Sequence, residues 1–151
     1  MSATATAPHS PGASHLFENT PVVHRYTRAD GLRDGTLVDV TETAREAGFK
    51  VPVAITAAVQ DQCVRWTEED TRRKPRFHQD EDGRLWDMLW MAACRSREIA
   101  RSGSRASPAL FQVIVVPRPG HGRRRLRTLK LVIGPGDAGE AVATIMLSDE
   151  D

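Results

Sequence analysis

The sequence predicts an α+β fold in which an N-terminal helical half packs on a C-terminal three-stranded antiparallel meander, with room for one extra short strand near Thr36–Val40. Three observations predict it. Apolar residues recur at helical spacing through Arg84–Arg101. The period turns strand-like after Pro108, and the later strands are joined by links short enough to favour antiparallel neighbours. With 151 residues the chain is the size of one domain, and such a domain buries roughly two thirds of its unfolded surface. The expected division is a flexible tail, residues 1–19, rich in Ser, Ala, Thr, Pro and Gly, followed by a single α+β domain, residues 20–151.

Element signals follow in order. Thr27 is placed to cap a short turn, Arg28–Asp34, which Gly35 ends before an extended piece at Thr36–Val40. Thr41 then opens a helix that Gly48 stops. Pro52 starts a second helix, whose Val53, Ala54, Ala57, Ala58, Val59, Cys63 and Val64 form a broad apolar stripe. Residues 66–82 are dense in charge and read as an exposed connection, with Thr67 to Asp70 matching a helix start. In Arg84–Arg101, Leu85, Met88, Leu89, Ala92 and Ile99 line one face, and Trp86, Trp90 and Ala93 broaden it. Three strands are expected: Leu110–Val116, β-branched and buried on much of both faces; Leu126–Ile133, with one apolar side; and Ala141–Leu147.

The net charge of +1 hides a separation along the chain. Residues 84–130 hold 11 basic and 2 acidic side chains, whereas residues 131–151 hold 5 acidic and none basic. The basic excess culminates in the link between the first two C-terminal strands, where Arg118, His121, Arg123, Arg124, Arg125 and Arg127 gather at one hairpin. Such a density is costly unless it is solvated or faces an anion. A guanidinium fork grips phosphate and carboxylate alike, so these six are the candidate partner- or phosphate-binding residues. Trp86 and Trp90 are the candidate aromatic contacts, because tryptophan is enriched at interface hot spots. Packing against the sheet is the competing role for both.

Chemistry of other kinds finds little support. Cys63 and Cys94 lie in helix-like patterns and offer neither a disulfide framework nor metal-ligand spacing, so no metal or other cofactor is expected. Asp80, Asp82 and Gly83 resemble the start of a calcium loop, but Arg84 takes a ligand position and Met91 stands where a glutamate is required. His78, Asp80 and Glu81 form the best catalytic fragment, yet they belong to a polar connection without a nucleophile, so no enzymatic activity is expected. Gly134-Pro-Gly136 lacks the lysine and following helix of a phosphate-cradling loop. No run is apolar enough for a membrane span, which makes a cytoplasmic protein without membrane partners the default.

Gly35–Val59, His78–Ala93, Thr128–Asp137 and Ala143–Leu147 together resemble an uncharacterised family of small bacterial proteins carried on plasmids, prophages and other mobile elements. The resemblance spans roughly Tyr26–Asp151 and brings no catalytic residues with it. It implies a context in which genes encode inhibitors of host defence, including restriction and CRISPR systems, or factors for transfer and copy control. The resulting expectation is a non-enzymatic accessory protein that binds a macromolecular target, an anti-CRISPR or anti-restriction inhibitor in the first instance. A nucleic-acid-binding protein that uses the basic hairpin is the alternative.

Overall fold

Thr27 accepts a hydrogen bond from Asp30 N while the Asp30 carboxylate accepts from Thr27 N, a reciprocal cap that starts α1 (Arg28–Asp34). The computed structural model describes residues 25–103 and 107–151, so the expected tail at 1–19 lies outside the described residues. Gly35 closes α1 with φ 85°, a backbone angle that favours glycine. Then come β1 (Leu37–Asp39), α2 (Thr41–Ala47), β2 (Val53–Thr56), α3 (Ala57–Val59) with a π-helical continuation at Gln60–Val64, α4 (Glu68–Arg73) and α5 (Glu81–Ser102). The chain ends with β3 (Ala109–Val115), β4 (Arg125–Pro135) and β5 (Ala141–Leu147).

The expected three-stranded meander against a helical half is corrected by the sheet, which is a single mixed one with five strands in the order β1-β2-β5-β4-β3. Although β3, β4 and β5 pair antiparallel in succession, β5 also runs parallel to β2, with Val53 opposite Ala143 and Ile55 opposite Ile145. The helix expected from Pro52 is therefore a strand in its first part. All four residues of β2 are buried, and a short continuous apolar run has the same periodicity signature in a buried strand as in a buried helix. Its β-branched Val53, Ile55 and Thr56 fit the pleated surface between β1 and β5. Thr56 ends the strand and caps α3 by accepting from Val59 N at 3.3 Å.

Helix α5 covers one face of the sheet. Met88, Leu89, Ala92 and Ala93 are buried in a core shared with Ile55, Leu129, Leu131 and Ile145, and each fully buried large aliphatic contributes about 1.5–3 kcal/mol. At the edge strand β3 the alternation is clean: Ala109, Phe111, Val113 and Val115 point to the core, while Leu110, Gln112 and Ile114 face outward. The expected burial on both faces is thus overturned, with Ile114 70% exposed, because only one face of this edge carries a helix.

The turn between β4 and β5 anchors α1. Both oxygens of Asp137 accept from the first helix amides, Arg28 N and Ala29 N, each at 2.9 Å. The Arg28 guanidinium crosses to Thr144 Oγ1 at 2.7 Å and the Ala143 carbonyl at 3.0 Å. At the other end of β5, Glu150 Oε2 accepts from Thr56 Oγ1 at 2.8 Å and Leu147 N at 2.7 Å, and Lys130 Nζ donates to the Glu150 carbonyl. This carboxylate is consequently held at β2 and not at the arginine hairpin. No helix among the described residues is long and apolar enough to cross a membrane.

Candidate functional site

The hairpin link between β3 and β4 docks on the segment that the charge pattern marks as an exposed connection. Thr67 caps α4 through a second reciprocal arrangement, its hydroxyl accepting from Asp70 N at 3.2 Å and its amide donating to Asp70 Oδ2 at 2.9 Å. Asp70 within this short helix, Trp66 just before its cap and Lys74 at its C-terminal end are spaced four residues apart and are all buried. Asp70 is only 3% exposed and Lys74 4%.

Two side chains fasten the hairpin there. Arg118 donates from Nε to Asp70 Oδ2 at 2.7 Å, and Lys74 Nζ donates to the Arg118 carbonyl. Burial works against ionising Asp70, but the Thr67 amide, the Arg118 guanidinium and the Thr67 hydroxyl outweigh it and hold the carboxyl at about 2. The same pair raises the Arg118 pKa, its hydrogen bond to Asp70 being the main cause. Nearer the hairpin tip, Gly122 lies against the Phe77 ring, and the Arg124 guanidinium stands 5.7 Å from that ring's centroid.

Arg84, at the start of α5, ties the same region together from within. Its Nε donates to the Val64 carbonyl at 3.1 Å, and its Nη1 donates to the Val116 carbonyl at 2.9 Å and to Gln79 Oε1 at 3.2 Å. The guanidinium is also 5.0 Å from the Trp66 ring centroid, with the Lys74 ammonium 5.7 Å from that centroid. Burial lowers the Arg84 pKa.

The candidate residues divide accordingly. Arg123, Arg124, Arg125 and His121 are exposed. Among the described residues no carboxylate forms an ion pair with any of the three arginines. Arg118 is committed to Asp70, with Asp61 3.8 Å away. Arg127 is half-buried and lines a small groove with Asp61, Gln62 and Pro117. Trp86 is half-buried against the core, and Trp90, 44% exposed, stacks on it with centroids 6.0 Å apart. Arg97 covers the Trp90 ring at 5.2 Å.

The remaining polar fragment serves the backbone. Asp80 caps α5, accepting from Gly83 N, and Glu81 Oε1 accepts from Trp66 N at 3.3 Å. His78 is exposed. Among the described residues no three His, Cys, Asp or Glu side chains converge as a metal site would require.

A family model described as "Family of unknown function (DUF6573)" matches residues 13–151. The chain belongs to this family. No curated protein and no solved structure matches it. The braced hairpin, Arg84 and the buried Trp66, Asp70 and Lys74 all fall inside the matched span, so they belong to the family domain of this chain and not to an appendage. Sequence reasoning missed Trp66, Asp70, Lys74, Phe77 and Arg84 as parts of this region; the four-residue spacing of the first three was the available signal.

Proposed function

We propose that this chain is a non-enzymatic binding protein that docks an acidic macromolecular surface on the hairpin carrying His121, Arg123, Arg124 and Arg125. One observation carries the reading: three adjacent arginines, solvent-facing and without a carboxylate partner among the described residues, stand where the β3–β4 link enters β4, and that link is braced by the ion pair of Arg118 with the buried Asp70. A preorganised cationic surface loses less side-chain and loop freedom on binding than a mobile one. Directly beside it Ile114 and Leu126 face each other across β3 and β4, 70% and 59% exposed. Exposed apolar side chains next to unpaired guanidinium groups suit a protein surface better than a phosphate backbone.

Host-defence complexes, a CRISPR surveillance complex or a restriction enzyme, are the first targets to test, following the resemblance to mobile-element proteins. Purified complexes should retain the wild-type chain and release the Arg123→Gln/Arg124→Gln/Arg125→Gln variant, with relief of interference in cells lost in parallel. Failure to bind any such complex would remove the host-defence target. The nucleic-acid alternative rests on the same arginines and predicts DNA or RNA affinity that falls steeply with salt, with a slope flattened by the triple substitution. Binding that is undetectable or independent of salt would dismiss it.

A further inference from the structure

Between the first turns of α5 and the end of β3 lies a cavity of about 210 Å³ whose lining includes Arg84, Gln79, Arg124, Met88, Val113 and one carboxylate, the exposed Asp87. We propose that this cavity is a binding site for a carboxylate on a short aliphatic stem, held by the forked face of Arg84.

The argument starts from charge. Of the charged side chains buried here, Lys74 and Arg84 are cationic and Asp70 is anionic, and Asp70 already answers Arg118. Arg84, 6% exposed, has no ion-pair partner among the described residues. Its Nη2 is buried with no hydrogen-bond partner, although Nε and Nη1 are both satisfied. A buried guanidinium that keeps one nitrogen unpaired and lacks a counter-ion is costly, and an arriving anion would offset that cost.

Geometry selects the class of anion. Two acceptors of Arg84, the Val64 and Val116 carbonyls, are fixed backbone; the third, Gln79 Oε1, is a half-buried side chain with the longest of the three bonds. A carboxylate that displaces Gln79 from Nη1 spans Nη1 and Nη2 together, the bidentate pairing that a guanidinium fork favours. Met88, Val113 and Val115 form the smaller, apolar part of a mostly polar lining, and a short aliphatic stem would contact that part, which a heavily hydrated inorganic anion would not. At roughly 30 Å³ per water the space equals about seven waters, enough for a three- or four-carbon acid. The carboxylate has two possible sources, a free small acid or the C-terminus of a partner, and their chemistry at Arg84 is the same.

The test titrates butyrate into the full chain, following Tm and ligand-detected NMR, with sodium chloride at matched ionic strength and butanol as controls. Saturable stabilisation by butyrate alone is expected. Gln79→Glu supplies a carboxylate to Arg84 from within; it should raise the Tm without ligand and weaken butyrate binding at least tenfold. The Arg123→Gln/Arg125→Gln variant, which alters the proposed docking surface, should bind butyrate as the wild type does, so the two proposals fail separately. A tetrapeptide with a free C-terminus, compared with its amide, reports the source: preference for the free acid indicates a partner terminus, and binding of butyrate alone indicates a small acid. The proposal is overturned if butyrate gives no saturable response, if butanol matches it, or if Gln79→Glu binds butyrate as tightly as wild type.

Discussion

Arg118 Nε and Asp70 Oδ2 lie 2.7 Å apart, joining the β3–β4 link to the helix α4 across 48 residues of chain. Because the Asp70 carboxyl sits at about 2, below its ordinary value of 3.8, the folded state binds the proton more weakly than the unfolded state. The resulting stability is fully present above the unfolded value and is lost as pH falls through about 4 toward 2; a shift of this size corresponds to about 2 kcal/mol. Asp70→Asn should therefore lower the urea-unfolding free energy by about 2 kcal/mol or more at pH 7, with the difference from wild type shrinking as pH approaches 2. A difference equally large at both ends of that range would show that the ion pair does not set it.

Gly122 has φ 80°, and a Cβ added there would stand 2.7 Å from Phe77 Cε2. Gly122→Ala combines a disfavoured backbone angle with a clash against a ring, so a loss of about 1–3 kcal/mol is expected. Thermal unfolding measures the loss, and faster amide exchange in residues 118–124 would report the hairpin lifting away. Unchanged stability and exchange would contradict the contact.

Neighbouring residues of β3 should respond in opposite ways. Phe111 is buried beneath α5, and Phe111→Ala should cost about 3–5 kcal/mol. Ile114→Thr keeps a β-branched side chain on the exposed face and should stay within about 0.5 kcal/mol of wild type. Comparable losses in denaturant titrations would mean that the two faces of the strand are assigned wrongly.

Burial pushes the Cys63 thiol pKa up, whereas Cys94 is half-buried on α5. Thiolate is the reactive form, so iodoacetamide should modify Cys94 of the folded chain well before Cys63, and both should react once urea is added. Peptide mass spectrometry separates the sites; equal rates in the native protein would refute the ordering.

Some caps and stops are legible in the sequence because their chemistry is complete within three or four residues: Thr27 and Thr67 cap helices, and Gly35 and Gly48 end them, whereas the caps expected at Thr41 and Asp82 fall instead at Val40, without a side-chain bond, and at Asp80. Strand β2 is not legible, since what makes Val53–Thr56 extended is β5, some ninety positions later in the chain. The hairpin shows the same limit. Arg118 and Arg123 look alike in a basic run, and only the folded position of Asp70 distinguishes the fastened one from the free one. Arg84 was read as the start of a helix and the failure of a calcium loop; its role depends on the Val64 and Val116 carbonyls, which no local pattern brings together.

The placement of β5 between β2 and β4 also bears on how the chain acquires its shape. During synthesis β1 and β2 emerge early but lack the neighbour that completes their side of the sheet, while β3 and β4 can pair through their own link. Until residues 141–147 are available, the buried faces of β2 and β4 have no strand between them, and loop closure must precede any gain from the parallel pairing. Assembly is thereby coupled to β5, and a product cut short before Ala141 would leave two strand edges with unpaired backbone groups open to aggregation and proteolysis.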